Sequence, residues 1–118
     1  MRHVLSLQDL DQQTVRSLIE RAVDMADPDR RGTPLAGRVI GVYFSKASTR
    51  TRSAFSAAAL RLGGDVMPYG PSDLQVTTGE TWADTVRVMS GYLDALVMRT
   101  NGPLGPVRSR DLDFRDQP

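Results

Sequence analysis

The chain has 118 residues, 40% of them hydrophobic and 25% charged, with a formal net charge of +1. That is the make-up of one ordinary globular domain, and it argues against a nucleic-acid binder working through bulk electrostatics. With no cysteine and one histidine, His3, the chain has no means for disulfides, thiolate chemistry, Cys- or His-rich metal sites or a Ser-His-Asp triad.

Along the chain, "LQDLDQQTVRSLIERAVDMAD" predicts a helix over 9–26, opened by an Asp9/Gln12 capping box and striped by Leu18, Ile19, Ala22, Val23 and Ala26. Pro, Gly and charge make 27–37 a connecting loop. "RVIGVYF" (38–44) is apolar without interruption, the mark of a strand covered on both faces. A second helix fits 51–62, where Ala54, Phe55, Ala58, Ala59 and Leu62 recur at helical spacing before Gly63-Gly64 stops it. "DVMPY" (65–69) predicts a short strand with Pro68 near its end. The loop "GPSDLQVTTG" follows, and a Thr77/Glu80 capping box opens a helix over 80–92 with Trp82, Val86, Met89 and Leu93 on one face. Trp82 is read as core. "DALVMRT" (94–100) predicts a third strand, and 101–118 reads as an irregular or disordered tail.

Strands alternating with helices imply an α/β fold, a three-layer αβα domain over 1–100 with a parallel sheet. Ligands of such sheets bind outside the carboxyl ends of the strands. Three polar segments leave those ends: "SKASTRTR", "GPSDLQVTTGE" and Arg99-Thr100. Chain order alone therefore points all three at one crevice.

The first segment has the chemistry of an anion cradle. Ser48, Thr49 and Arg50 fall at the start of the second helix, where backbone N–H groups lack intrahelical partners and the macrodipole is positive. Ser48, Thr49 and Thr51 add hydroxyl donors, and Arg50 a planar fork suited to phosphate or carboxylate. The bland alternative is a helix cap with a solvated basic turn. No G-x-x-x-x-G-K-[ST] occurs, which argues against a nucleotide triphosphatase. Arg52 points to another side of the helix and reads as structural, paired with a carboxylate such as Asp84. Glu80 and Asp84 read as cap and ion-pair partner, and His3 as a surface residue. No apolar run reaches the roughly 18–20 residues of a membrane span, and the N-terminus lacks a signal-peptide centre. A cytoplasmic protein is expected, with neither membrane nor nucleic acid as partner.

"YFSKASTRTRSAF" resembles the carbamoyl-phosphate signature of the aspartate and ornithine carbamoyltransferases, S-T-R-T-R. "SDLQVTTGETWADTVRVMSGYLDALVMRT" is similar to the family segment that carries G-E-[ST]-x-x-D-T and ends in an apolar strand with Arg. "LSLQDLDQQTVRSLIERAVDM" resembles its first helix, so the likeness covers about 4–100 in three ordered blocks. It implies that Ser48, Thr49, Arg50 and Thr51 hold the phosphate of carbamoyl phosphate, and that Thr51 and Arg99 also reach the carbonyl oxygen. Arg50, Thr51 and Arg99 are then the catalytic candidates, and no cofactor or metal is implied.

Aspartate-type members carry a lysine shortly before G-E-T. This chain has Thr78 there, and its only lysine is Lys46. That departure and Gln75 in "SDLQ" favour an ornithine-type acceptor, with Gln75 in the substrate site, although a plain polar loop residue is the competing reading. The H-P-x-Q block and an amino-acid-binding domain have no counterpart in the chain. The resemblance also implies a trimer, and an amino-acid co-substrate only where a second domain is supplied. The 118 residues alone are expected to be inactive, and a non-catalytic anion-binding or assembly fragment of the family is the alternative.

Overall fold

The structure, a computed structural model, describes residues 3–44, 48–71, 73 and 82–99. A 3-10 turn, Leu7–Asp9, leads into α1, Gln12–Ala26. The predicted cap at Asp9 is corrected to Asp11, whose carboxylate accepts the Thr14 N–H at 2.6 Å. Asp9 is already committed to the preceding turn, which Ser6 caps by accepting from the Gln8 N–H. Two aspartates stand two residues apart, and only Asp11 has the third helical amide within reach of its carboxylate.

The segment expected as plain loop holds a further short helix, α2, Pro28–Arg31. Asp27 caps it, Pro28 opens it and Gly32 ends it at φ 64°, the usual grammar of a one-turn helix. The Arg31 guanidinium turns back to donate to the carbonyls of Met25 at 2.8 Å and Ala26 at 3.4 Å. It thereby satisfies acceptors that the end of α1 leaves open.

Three parallel strands follow: β1, Val39–Phe44; β2, Asp65–Tyr69; and β3, Ala95–Arg99, in the order β2-β1-β3. β1 is the centre. Gly41 stands opposite Met67 on one side and Leu96 on the other. Val42 is fully buried, Tyr43 and Phe44 nearly so, and Ile40 is buried as well. Alternate residues point to opposite faces, so burial at consecutive positions means that both faces of β1 are covered. The uninterrupted apolar run required this.

Gly41 is glycine because a Cβ there would lie 2.5 Å from Leu93 Cδ1 and 3.0 Å from Leu96 Cδ1. Below the sheet, Asp94 joins the starts of β1 and β3. Its carboxylate accepts the Val39 N–H at 2.9 Å and meets Arg38 at 3.3 Å, and its own N–H donates to the Val39 carbonyl.

α3, Thr49–Arg61, packs on β1 and β2 and buries Ala59. Its end forms a Schellman motif: Gly63 N–H donates to Leu60 O and Gly64 N–H to Ala59 O, with Gly63 at φ 91°. α4, Trp82–Met89, ends three residues before the predicted 92, and residues 80 and 81 lie outside the described residues. The Thr77/Glu80 capping box and the Trp82 side chain lie outside the described residues, as does the tail 101–118. Among the described residues, no helix is long and apolar enough to cross a membrane.

Candidate functional site

Of the predicted residues, the carboxyl edge of the sheet brings Arg99 beside Ser48, with Thr49, Arg50 and Thr51 following on the helix. Arg99 is the last residue of β3 and stands in register with Phe44, the last residue of β1. The chain leaving Phe44 returns at Ser48 to begin α3, so strand end and helix start are neighbours by construction. Arg99 Nη1 donates to Ser48 Oγ at 3.4 Å, a long bond between residues 51 positions apart. It places the third polar segment beside the first.

Ser48 is the N-cap of α3, but its side chain makes no capping bond. Its carbonyl accepts the Arg52 N–H at 3.0 Å, and its hydroxyl is turned to Arg99 instead. The amides of Thr49, Arg50 and Thr51 belong to the first turn, where no carbonyl of the helix itself can reach them. Ser48 and Thr51 are half-buried, while Thr49, Arg50 and Arg99 are exposed.

A helix start ordinarily favours carboxylates. The first turn of α3 has no acidic residue and carries Arg50 and Arg52. Among the described residues, no ion pair involves Arg50, Arg52 or Arg99. Cations are therefore stacked against the positive end of a dipole without a counter-ion among the described residues, an arrangement that an external anion can relieve. The arrangement can do two things chemically: grip a small dianion with amides, hydroxyls and guanidinium, and aim a second guanidinium at the same anion from the sheet.

Arg52 is exposed on α3 and Asp84 is exposed in the first turn of α4. The pairing expected between them is not among the ion pairs of the described residues. Gln75 lies outside the described residues, and so does most of its loop. At the loop's start, Gly70 N–H donates to the Asp73 carboxylate. At the end of β2, burial pushes the Tyr69 phenol above its ordinary value, so it remains a neutral hydroxyl at pH 7.

Two hollows of the described surface lie away from these residues. One of about 360 Å³ sits between α1 and α3, lined by Ala22, Met25, Ala54, Ala58 and Arg61 among others. On the residues described, the candidate site is a ledge that exposes Thr49, Arg50 and Arg99. Among them, no cluster of three or more His, Cys, Asp or Glu side chains could hold a metal. Nothing in the sequence foretold that the Ser48 hydroxyl turns to Arg99 rather than capping its own helix.

The chain is similar to known proteins in sequence and in fold. Residues 2–111 match the family described as aspartate/ornithine carbamoyltransferase, carbamoyl-P binding domain. The aspartate carbamoyltransferase catalytic subunit of Methanospirillum hungatei is 43% identical over 100 residues, covering 84% of this chain and 34% of that protein. The ornithine carbamoyltransferase of Halorhodospira halophila is 43% identical over 105 residues, covering 86% and 35%. Among solved structures, the anabolic ornithine carbamoyltransferase of Campylobacter jejuni superposes with a TM-score of 0.77 at 35% identity, over 86% of this chain and 33% of that one. The catalytic subunit of M. jannaschii aspartate transcarbamoylase gives 0.74 at 33% identity, over 87% and 35%. The chain spans about a third of the length of the curated relatives it matches, and those relatives divide between the aspartate and ornithine types. The chain belongs to the aspartate/ornithine carbamoyltransferase family, in its carbamoyl-phosphate-binding domain.

Proposed function

We propose that this chain is the carbamoyl-phosphate-binding half of an ornithine-type carbamoyltransferase. The observation that carries the reading is the hydrogen bond from Arg99 to Ser48, which sets a strand-end guanidinium beside a helix start that lacks any acidic residue. In this reading Ser48, Thr49, Arg50 and Thr51 hold the phosphate, Thr51 and Arg99 also face the carbamoyl oxygen, and Gln75 completes the substrate side. Arg52 and Asp84 serve the scaffold.

The chemistry asks for those groups. The acceptor amine forms a C–N bond to the carbamoyl carbon, the C–O bond to phosphate breaks, and the amine gives up a proton. Negative charge grows on the carbonyl oxygen and then on the leaving phosphate, where fixed donors act without reorganising. Holding two reactants in line contributes much of the remainder. No redox step occurs, so the reading calls for no cofactor.

The ornithine preference is supported by Thr78 in place of a lysine before Gly79-Glu80 and by Gln75. The reading brings with it a cytoplasmic setting and a homo-oligomer, a trimer by family likeness, whose second substrate needs a further domain. Titrating carbamoyl phosphate into the labelled protein is expected to shift the amides of residues 48–52 and 99 in a saturable way. Unmoved amides at millimolar ligand would sink the reading.

A second reading is anion binding or assembly without turnover. An assay for citrulline from ornithine and carbamoyl phosphate separates the two. The chain alone is expected to form none, and citrulline formed once an amino-acid-binding domain of a relative is supplied would favour the first reading.

A further inference from the structure

We propose that Ser48 is a positioning residue, whose hydroxyl sets the direction of the Arg99 guanidinium and in doing so leaves the first amides of α3 open. What Arg99 is aimed at rests on the anion-site reading above; the aiming itself does not. The sheet fixes the backbone of Arg99, which closes β3 in parallel register with the buried Phe44. Its side chain has no such frame. Arginine carries five N–H donors on a long, flexible stem. Among the described residues the Arg99 guanidinium meets no carboxylate, and its one hydrogen-bond partner is the Ser48 hydroxyl, at 3.4 Å. A single bond therefore decides its aim.

The same bond matters for the helix start. A serine at an N-cap ordinarily accepts from the N–H of the second or third helical residue, here Arg50 or Thr51. The Ser48 side chain makes no such bond and accepts from Arg99 instead. Had it capped, it would occupy an amide that an anion at this helix start could use. A hydroxyl that accepts from a guanidinium also keeps its own proton to donate, and that proton is the more polarised for it. Ser48 and Arg99 thus address one ligand as a unit. Alanine at position 48 loses the aim, whereas threonine keeps the hydroxyl.

Two measurements test this. In the free protein, nitrogen relaxation at Arg99 Nε, assigned with Arg99→Gln, is expected to show a restrained guanidinium in the wild type and in Ser48→Thr. In Ser48→Ala it is expected to turn freely. The melting temperature of Ser48→Ala should hardly move, because no capping bond is lost, whereas a working cap would cost several degrees. In isothermal titration, Ser48→Ala and Arg99→Gln should each weaken carbamoyl phosphate binding. The double variant should bind roughly tenfold better than the product of the two losses predicts. An Arg99 Nε equally mobile with and without the Ser48 hydroxyl overturns the proposal, as do losses that simply multiply. A fall of several degrees in Ser48→Ala also overturns it, by returning the hydroxyl to its helix. A wild type that ignores carbamoyl phosphate sinks the anion-site reading alone, and the relaxation comparison then decides between a held and a free Arg99.

Discussion

Arg50 and Arg52 are two residues apart on one helix, yet the ledge asks different things of them. Arg50 stands in the first turn of α3 beside open amides, and no ion pair among the described residues ties it to the protein. Truncating an exposed, unpaired side chain costs a fold little, whereas a charge-assisted bond to a bound dianion is lost outright. Arg50→Ala is therefore expected to weaken carbamoyl phosphate binding roughly 10- to 100-fold and to leave the melting temperature nearly unchanged, as isothermal titration and thermal melts can check. Arg52→Ala is expected to retain binding. Equal losses in the two variants would mean that the helix start grips its anion from a wider arc. At this scale the sequence was informative about identity and silent about contacts. The S-T-R-T-R run shows which groups are present, but not that Ser48 forgoes its own helix to hold Arg99.

Elements in this domain are closed by local chemistry that can be broken one residue at a time. Gly63 ends α3 at φ 91°, where an L side chain is strained, and a Cβ there would lie 2.9 Å from Thr33 Cβ. Gly63→Ala is expected to destabilise the fold by about 1–3 kcal/mol, read from urea unfolding at constant slope. The Gly-Gly stop was legible because a Schellman motif needs only its own residues. The start of α1 was harder. Asp9 and Asp11 both resemble caps in sequence, and the 3-10 turn that occupies Asp9 decides between them. α2 was missed because one turn gives too short a window for periodicity, although Asp27-Pro28 carried its cap and first residue.

For the molecule as a whole, the sheet is held at both ends by contacts between distant parts of the chain. At the amino edge, Asp94 accepts the Val39 N–H and meets Arg38. Asp94→Ala is expected to cost about 1 kcal/mol, the worth of one amide bond to a partly solvated carboxylate, measured by chemical denaturation. At the carboxyl edge, the ledge is expected to couple to global stability. Phosphate or carbamoyl phosphate at 100 times its Kd should add about 2.7 kcal/mol, visible as a rise of several degrees in Tm that Arg50→Ala cuts by about half or more at the same ligand concentration. The sequence by itself determined the alternation of strands and helices, the buried centre at β1 and the family, because those depend on periodicity and on short ordered motifs. Only the tertiary structure decided which groups meet: Arg99 with Ser48, and Arg38 with Asp94. Such pairings close over about fifty residues of chain, and no local pattern carries their geometry.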